Sequence, residues 1–175
     1  MTSDEPEATG ARMRAASAAH EEITRARWPA AWGWLFPATY ALHILEEWRG
    51  GEGFTVWMER VAGVELPTGK FLVWNAAGLV LMSLGVWLTM RFRHLRWFLL
   101  AYGAAFLLNA LSHLAASLYT NSYSPGLISS LLLWLPLGTL TLVYFRTSLS
   151  RRARRAGLAV GVLMHCVVLW LTLLG

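Results

Sequence analysis

Five stretches of this chain, near residues 31–48, 71–90, 97–119, 127–145 and 156–174, are apolar over close to the roughly 20 residues that a helix needs to cross a bilayer. Peptide groups in hydrocarbon find no water, so runs of this kind satisfy their backbone hydrogen bonds internally, as helices do. Composition agrees, with 56% hydrophobic residues and ten Trp, several of them clustered at segment ends as an aromatic belt requires. The expected fold class is all-α: a polytopic membrane helical bundle of about five transmembrane helices.

The connections give the orientation. Arg91, Arg93 and Arg96 fill one short loop, and Arg146, Arg151, Arg152, Arg154 and Arg155 fill another. Short loops rich in Arg stay in the cytoplasm. The N-terminus is then cytoplasmic, the C-terminus outside, and the membrane is a plasma membrane obeying the positive-inside rule. Residues 1–30 read as a cytoplasmic polar tail, with helix-forming composition over 15–28 that suits a surface helix. The outer connection 50–69 is too polar to span, yet Phe54, Val56, Trp57, Val61 and Leu66 suit a short amphipathic helix lying over the bundle. Pro37 falls inside the first segment, where a kink is expected. Gly78, Gly85 and Gly103 read as close-packing positions between helices.

Several function classes drop out. The formal net charge is +5, but the Arg residues lie in runs between apolar segments, so they read as topology signals and no nucleic-acid partner is expected. The single cysteine, Cys166, cannot form an intrachain disulfide, and no CxxC motif exists. The chain contains no GxSxG, HExxH, P-loop or dinucleotide fingerprint.

Against this apolar background His43, Glu46 and Glu47 stand out. Their spacing of i, i+3 and i+4 sets one imidazole and two carboxylates on one helical face. An ionisable side chain in a spanning segment costs on the order of 2.5–3.5 kcal/mol, so it normally has a partner and marks function. In the third segment Asn109 and His113 form an i, i+4 pair, and Asn75 and His165 fall at a similar depth in the second and fifth. Imidazoles and acids meeting at one level are first-row metal ligands. The expected ligands are His43, His113 and Glu47, with His165 as a further one, around a divalent ion such as Zn²⁺. Glu46 or Glu47 would handle protons as a catalytic group, and Asn109 would orient a ligand or substrate.

The same residues carry a resemblance. His43-x-x-Glu46-Glu47, then Asn109-x-x-x-His113, then Tyr123-x-Pro125-Gly126 resemble the HXXEE family of small multi-spanning prokaryotic membrane proteins, from about Tyr40 to the end of the chain. The resemblance implies that His43, Glu46, Glu47, Asn109 and His113 act as one site, and it implies no substrate.

Three functions fit these residues. The first is a metal-dependent enzyme, of hydrolase or proton-transfer type, acting on a membrane lipid or lipid-like substrate. The second is a small carrier that relays protons or cations through the same groups. The third is a non-catalytic membrane subunit. A carrier of this size would have to form a homo-oligomer to enclose a path.

Overall fold

The computed structural model describes residues 30–175, so the expected tail, with its surface helix over 15–28, lies outside the described residues. Among the described residues every regular element is helical. A 3-10 turn, Ala30–Trp34, leads into α1 (Leu35–Arg49), followed by α2 (Phe54–Ala62), α3 (Thr68–Arg91), α4 (Trp97–Thr120), α5 (Leu127–Ser148) and α6 (Arg151–Leu173). Four of these, α3 to α6, are long and apolar enough to cross a membrane. Over the described residues the chain is an all-helical membrane protein.

The first apolar segment differs in detail from its expectation. Its α-helix has 15 residues, about 22 Å of rise, less than the roughly 30 Å of a bilayer core. The 3-10 turn extends it. Gly33 lies against Val86 and Leu99, beside the basic loop, whereas Glu46 reaches the backbone of Ile128 at the opposite end of the bundle. Pro37 falls in the first turn of α1, where a missing N–H costs no helical hydrogen bond, so the expected interior kink has no cause there.

Helix α4 forms the centre of the bundle and packs along both α5 and α6. Small residues make that approach possible. A Cβ on Gly161 would lie 2.5 Å from the Ala101 carbonyl, and one on Gly103 would lie 2.7 Å from Thr141. Gly78 and Gly85 leave notches filled by the rings of Tyr40 and Tyr102, so the glycines expected to pack closely do so.

Helix α5 carries a π-helical stretch, Ser130–Trp134, in which the Leu135 N–H bonds the Ser130 carbonyl five residues back. Pro136 follows at once; it has no N–H to give and its ring crowds the carbonyl of the preceding turn. The wider turn absorbs the conflict, and Trp134 ends up buried at 2% exposure. In the connection between α1 and α3, α2 buries Trp57 and Met58 and exposes Val56, the amphipathic arrangement expected there. Arg60 holds Glu52 in a two-oxygen clasp on its exposed side, which lowers the Glu52 carboxyl below its ordinary range.

Candidate metal centre

Helix α1 sets His43 and Glu47 one turn apart, and α4 brings His113 to the same point. Glu47 Oε1 lies 3.5 Å from His43 Nε2 and 3.4 Å from His113 Nε2. One ligand atom from each of the three residues falls within 4.8 Å of the other two. All three side chains are buried, at 1% exposure for His43, 7% for Glu47 and 6% for His113.

Each imidazole is held by its other nitrogen. His43 Nδ1 is 2.8 Å from Ser129 Oγ, and His113 Nδ1 is 3.0 Å from Ser124 Oγ. With the Ser129 hydroxyl donating its one proton to the Gly126 carbonyl, it accepts from His43, and this assignment puts the ring proton on Nδ1. The lone pair of His43 then sits on Nε2, which is buried and has no hydrogen-bond partner. An unpaired buried acceptor is costly, and a cation between it and Glu47 would remove that cost. Ligands about 2.0–2.1 Å from a tetrahedral ion lie roughly 3.3–3.5 Å apart, the spacing of Glu47 from both imidazoles. A histidine ligand that donates its second nitrogen to a fixed acceptor is also the usual second-shell arrangement of metal sites. The residues present fit a small divalent cation.

The walls of the site are apolar or without side chains. Gly126, at φ +96°, presses its backbone against the cluster: a Cβ there would lie 2.7 Å from His43 Cε1, 2.8 Å from His113 Cε1 and 3.0 Å from Glu47 Cγ. Trp134 tilts against the His43 ring at 3.7 Å between centroids and is backed by Phe106 at 4.0 Å. Tyr40 stacks on the same indole and donates to Asn75 Oδ1, while Asn75 donates back to the Phe71 carbonyl. Asn75 is thus a brace between α1 and α3 rather than part of the cluster. From α2, Phe54 approaches His113 to 6.3 Å.

Glu46 and Glu47, expected to divide ligation and proton handling between them, part company. Glu46 turns to the start of α5, where Oε1 accepts from the Ile128 N–H at 2.8 Å and the Tyr123 hydroxyl at 2.5 Å, and Oε2 accepts from the Ser129 N–H at 2.6 Å. A carboxylate on the free N–H groups of a helix N-terminus satisfies them and meets the positive end of the dipole. Burial, together with the bond to Glu46, raises the Tyr123 phenol above its ordinary value.

The family model for proteins of unknown function with an HXXEE motif matches residues 34–141, more than half of the chain. The chain belongs to the HXXEE family. The motif of this HXXEE protein therefore splits in space: its histidine and last glutamate join the cluster, and its middle glutamate fastens the helix whose first turn supplies Ser129. No match was found among curated proteins or solved structures.

The remaining expected site residues stand apart from the three. His165, on α6, is buried and bonds Ser112 Oγ through Nε2 at 3.0 Å, next in sequence to His113 but outside the ligand group. Asn109 is half-buried one turn before His113, also outside the group. Sequence reasoning missed Ser124, Ser129 and the contact made by Gly126. Their signal was the Ser, Pro and Gly content between the third and fourth apolar segments, for Ser124 and Gly126, and a polar residue one turn into the fourth, for Ser129.

Proposed function

We propose that this HXXEE protein is a metal-dependent membrane enzyme in which His43, His113 and Glu47 hold a divalent cation, best suited to Zn²⁺, and which acts on a lipid-like substrate. The carrying observation is the spacing of Glu47 Oε1 at 3.5 and 3.4 Å from two buried imidazole nitrogens. Three protein ligands around a tetrahedral ion leave one position open, the pattern of catalytic rather than structural zinc. Such an ion supplies activated water or a polarised carbonyl at neutral pH. That chemistry suits hydrolysis, or a proton transfer such as isomerisation.

The chain's own residues divide the remaining tasks. Ser129 and Ser124 fix the two imidazole rings, and Trp134 with Phe106 keeps water from the inner side. Asn109, one turn inward, orients the substrate. Glu46 is occupied at the helix end and serves as a positioning residue. His165 acts through Ser112 rather than as a ligand. The length and apolar walls favour a substrate that enters from the bilayer. The segment from Gly33 to Arg49 runs from the level of Val86 to that of Ile128, which supports a fifth span; with the two Arg-rich loops in the cytoplasm, the N-terminus is cytoplasmic and the site faces outward in the plasma membrane.

The test is turnover in reconstituted vesicles of host lipid extract, followed by lipid mass spectrometry. Protein stripped by a chelator and reloaded with Zn²⁺ is compared with the stripped protein and with Glu47→Gln. Loss of one lipid class and gain of its product only in the reloaded wild type is the expected result. Proton or cation flux across the vesicles with no lipid converted contradicts the enzyme and favours a carrier.

A further inference from the structure

A second site lies at the opposite end of the bundle. Between α4, α5 and α6 a groove of about 260 Å³ is lined by Leu100, Leu142, Val143 and Leu158, with Arg146 and Arg154 at its edge. It opens to the outside, and Val143 is 63% exposed. The Arg154 Nη1 donates to the Arg146 carbonyl at 2.6 Å, which draws its guanidinium across the gap between α5 and α6. Four of its five N–H donors remain for another partner.

Among the described residues the charge around this groove is one-sided. Gly157 and Trp97 touch there, so the two basic loops adjoin, bringing eight arginines to one end of the bundle. No Asp or Glu follows Glu65 in the chain. An apolar trough in a membrane bundle, capped by guanidinium groups without acidic partners among the described residues, matches a molecule with an acyl tail and an anionic head. Basic pockets between helices on the cytoplasmic side take such lipids. Arginine suits the role because its planar fork pairs with two phosphate oxygens at once.

We infer that this groove binds one anionic phospholipid of the inner leaflet, its acyl chain along Leu100, Leu142, Val143 and Leu158 and its phosphate on Arg146 and Arg154. The site is independent of the metal cluster, so either can fail without the other. Bound there, the lipid ties α5 to α6 where their connecting loop is most highly charged.

The experiment is native mass spectrometry of the full chain in mixed micelles, titrated with phosphatidylglycerol, phosphatidylcholine or inorganic phosphate. Wild type should retain one phosphatidylglycerol per chain in preference to phosphatidylcholine, and inorganic phosphate should not displace it. Arg146→Gln/Arg154→Gln should weaken retention roughly 30-fold, two surface-charge contributions combined. Arg152→Gln/Arg155→Gln, which removes equal charge outside the groove, should retain the lipid within about threefold of wild type. Equal retention of the two lipids, displacement by inorganic phosphate, or equal losses in both double variants overturns the inference. Arg146, Arg152 and Arg155 are exposed and Arg154 is half-buried, and a circular dichroism spectrum checks that each double variant remains folded.

Discussion

Gly126 and His43 stand so close that no side chain fits between them: a Cβ on Gly126 would lie 2.7 Å from the His43 ring. The contact joins the Tyr123-x-Pro125-Gly126 turn to the first histidine of the family motif, two features 83 positions apart by subtraction (126 − 43). Two motif elements thus form opposite walls of one small space.

Gly126→Ala therefore meets two penalties. The position has φ +96°, where an L side chain is strained, and the added methyl collides with both imidazoles and Glu47. A loss of about 2–4 kcal/mol in stability is expected from strain and overpacking together, with loss of bound metal. Gly63→Ala, also at positive φ but with nothing within 4 Å, serves as the reference; it should carry the strain alone and keep the metal.

The serines behind the imidazoles should tune affinity rather than create it. Ser129→Ala leaves His43 Nδ1 without its acceptor, and Ser124→Ala does the same for His113. Metal affinity, read by competition with a chromophoric chelator, should fall about 10–100-fold for each. If both variants bind as tightly as wild type, the serines do not orient ligands.

Glu46 and Glu47 should separate cleanly. Glu47→Gln removes the only carboxylate of the cluster and should abolish metal binding. Glu46→Gln places an amide where three donors converge, so it should lower thermal stability by about 1–3 kcal/mol while metal stoichiometry persists. The reverse pattern would exchange their roles.

Tyr123 gives a pH signature outside the spans. Its phenol is raised by burial and by its bond to Glu46, so the folded state favours the protonated form. The stability it contributes is fully present below the unfolded tyrosine value of about 10 and is lost as pH rises through the higher folded value. Difference spectra between wild type and Tyr123→Phe should show no phenolate from this residue at pH about 10, where a free tyrosine is half ionised. Half-ionisation at that pH would mean the Glu46 bond is absent.

Much of this arrangement was legible in the sequence because lipid imposes simple rules. Apolar length marked the four long helices, and the charge inside an apolar run marked His43 and Glu47. Depth arithmetic at 1.5 Å per residue placed His113 level with them. The same arithmetic could not tell Glu46 from Glu47, since adjacent residues differ by about 100° around a helix and only the position of α5 decides which partner each meets. Nor could it find Ser129, whose role depends on the turn at Gly126 that sets it against His43. His165 lies at the right depth, but Ser112 takes its nitrogen. Depth fixes one coordinate of a bundle, and rotation about each helix axis comes from packing.

The most direct measurement is elemental analysis of the purified full chain beside His43→Ala/His113→Ala. One tightly held divalent ion per wild-type chain, predominantly zinc, and none in the double variant is the expected result. Wild-type protein that folds, takes up no ion from added Zn²⁺ and matches the double variant contradicts the metal centre, and the enzyme proposed on it goes with it.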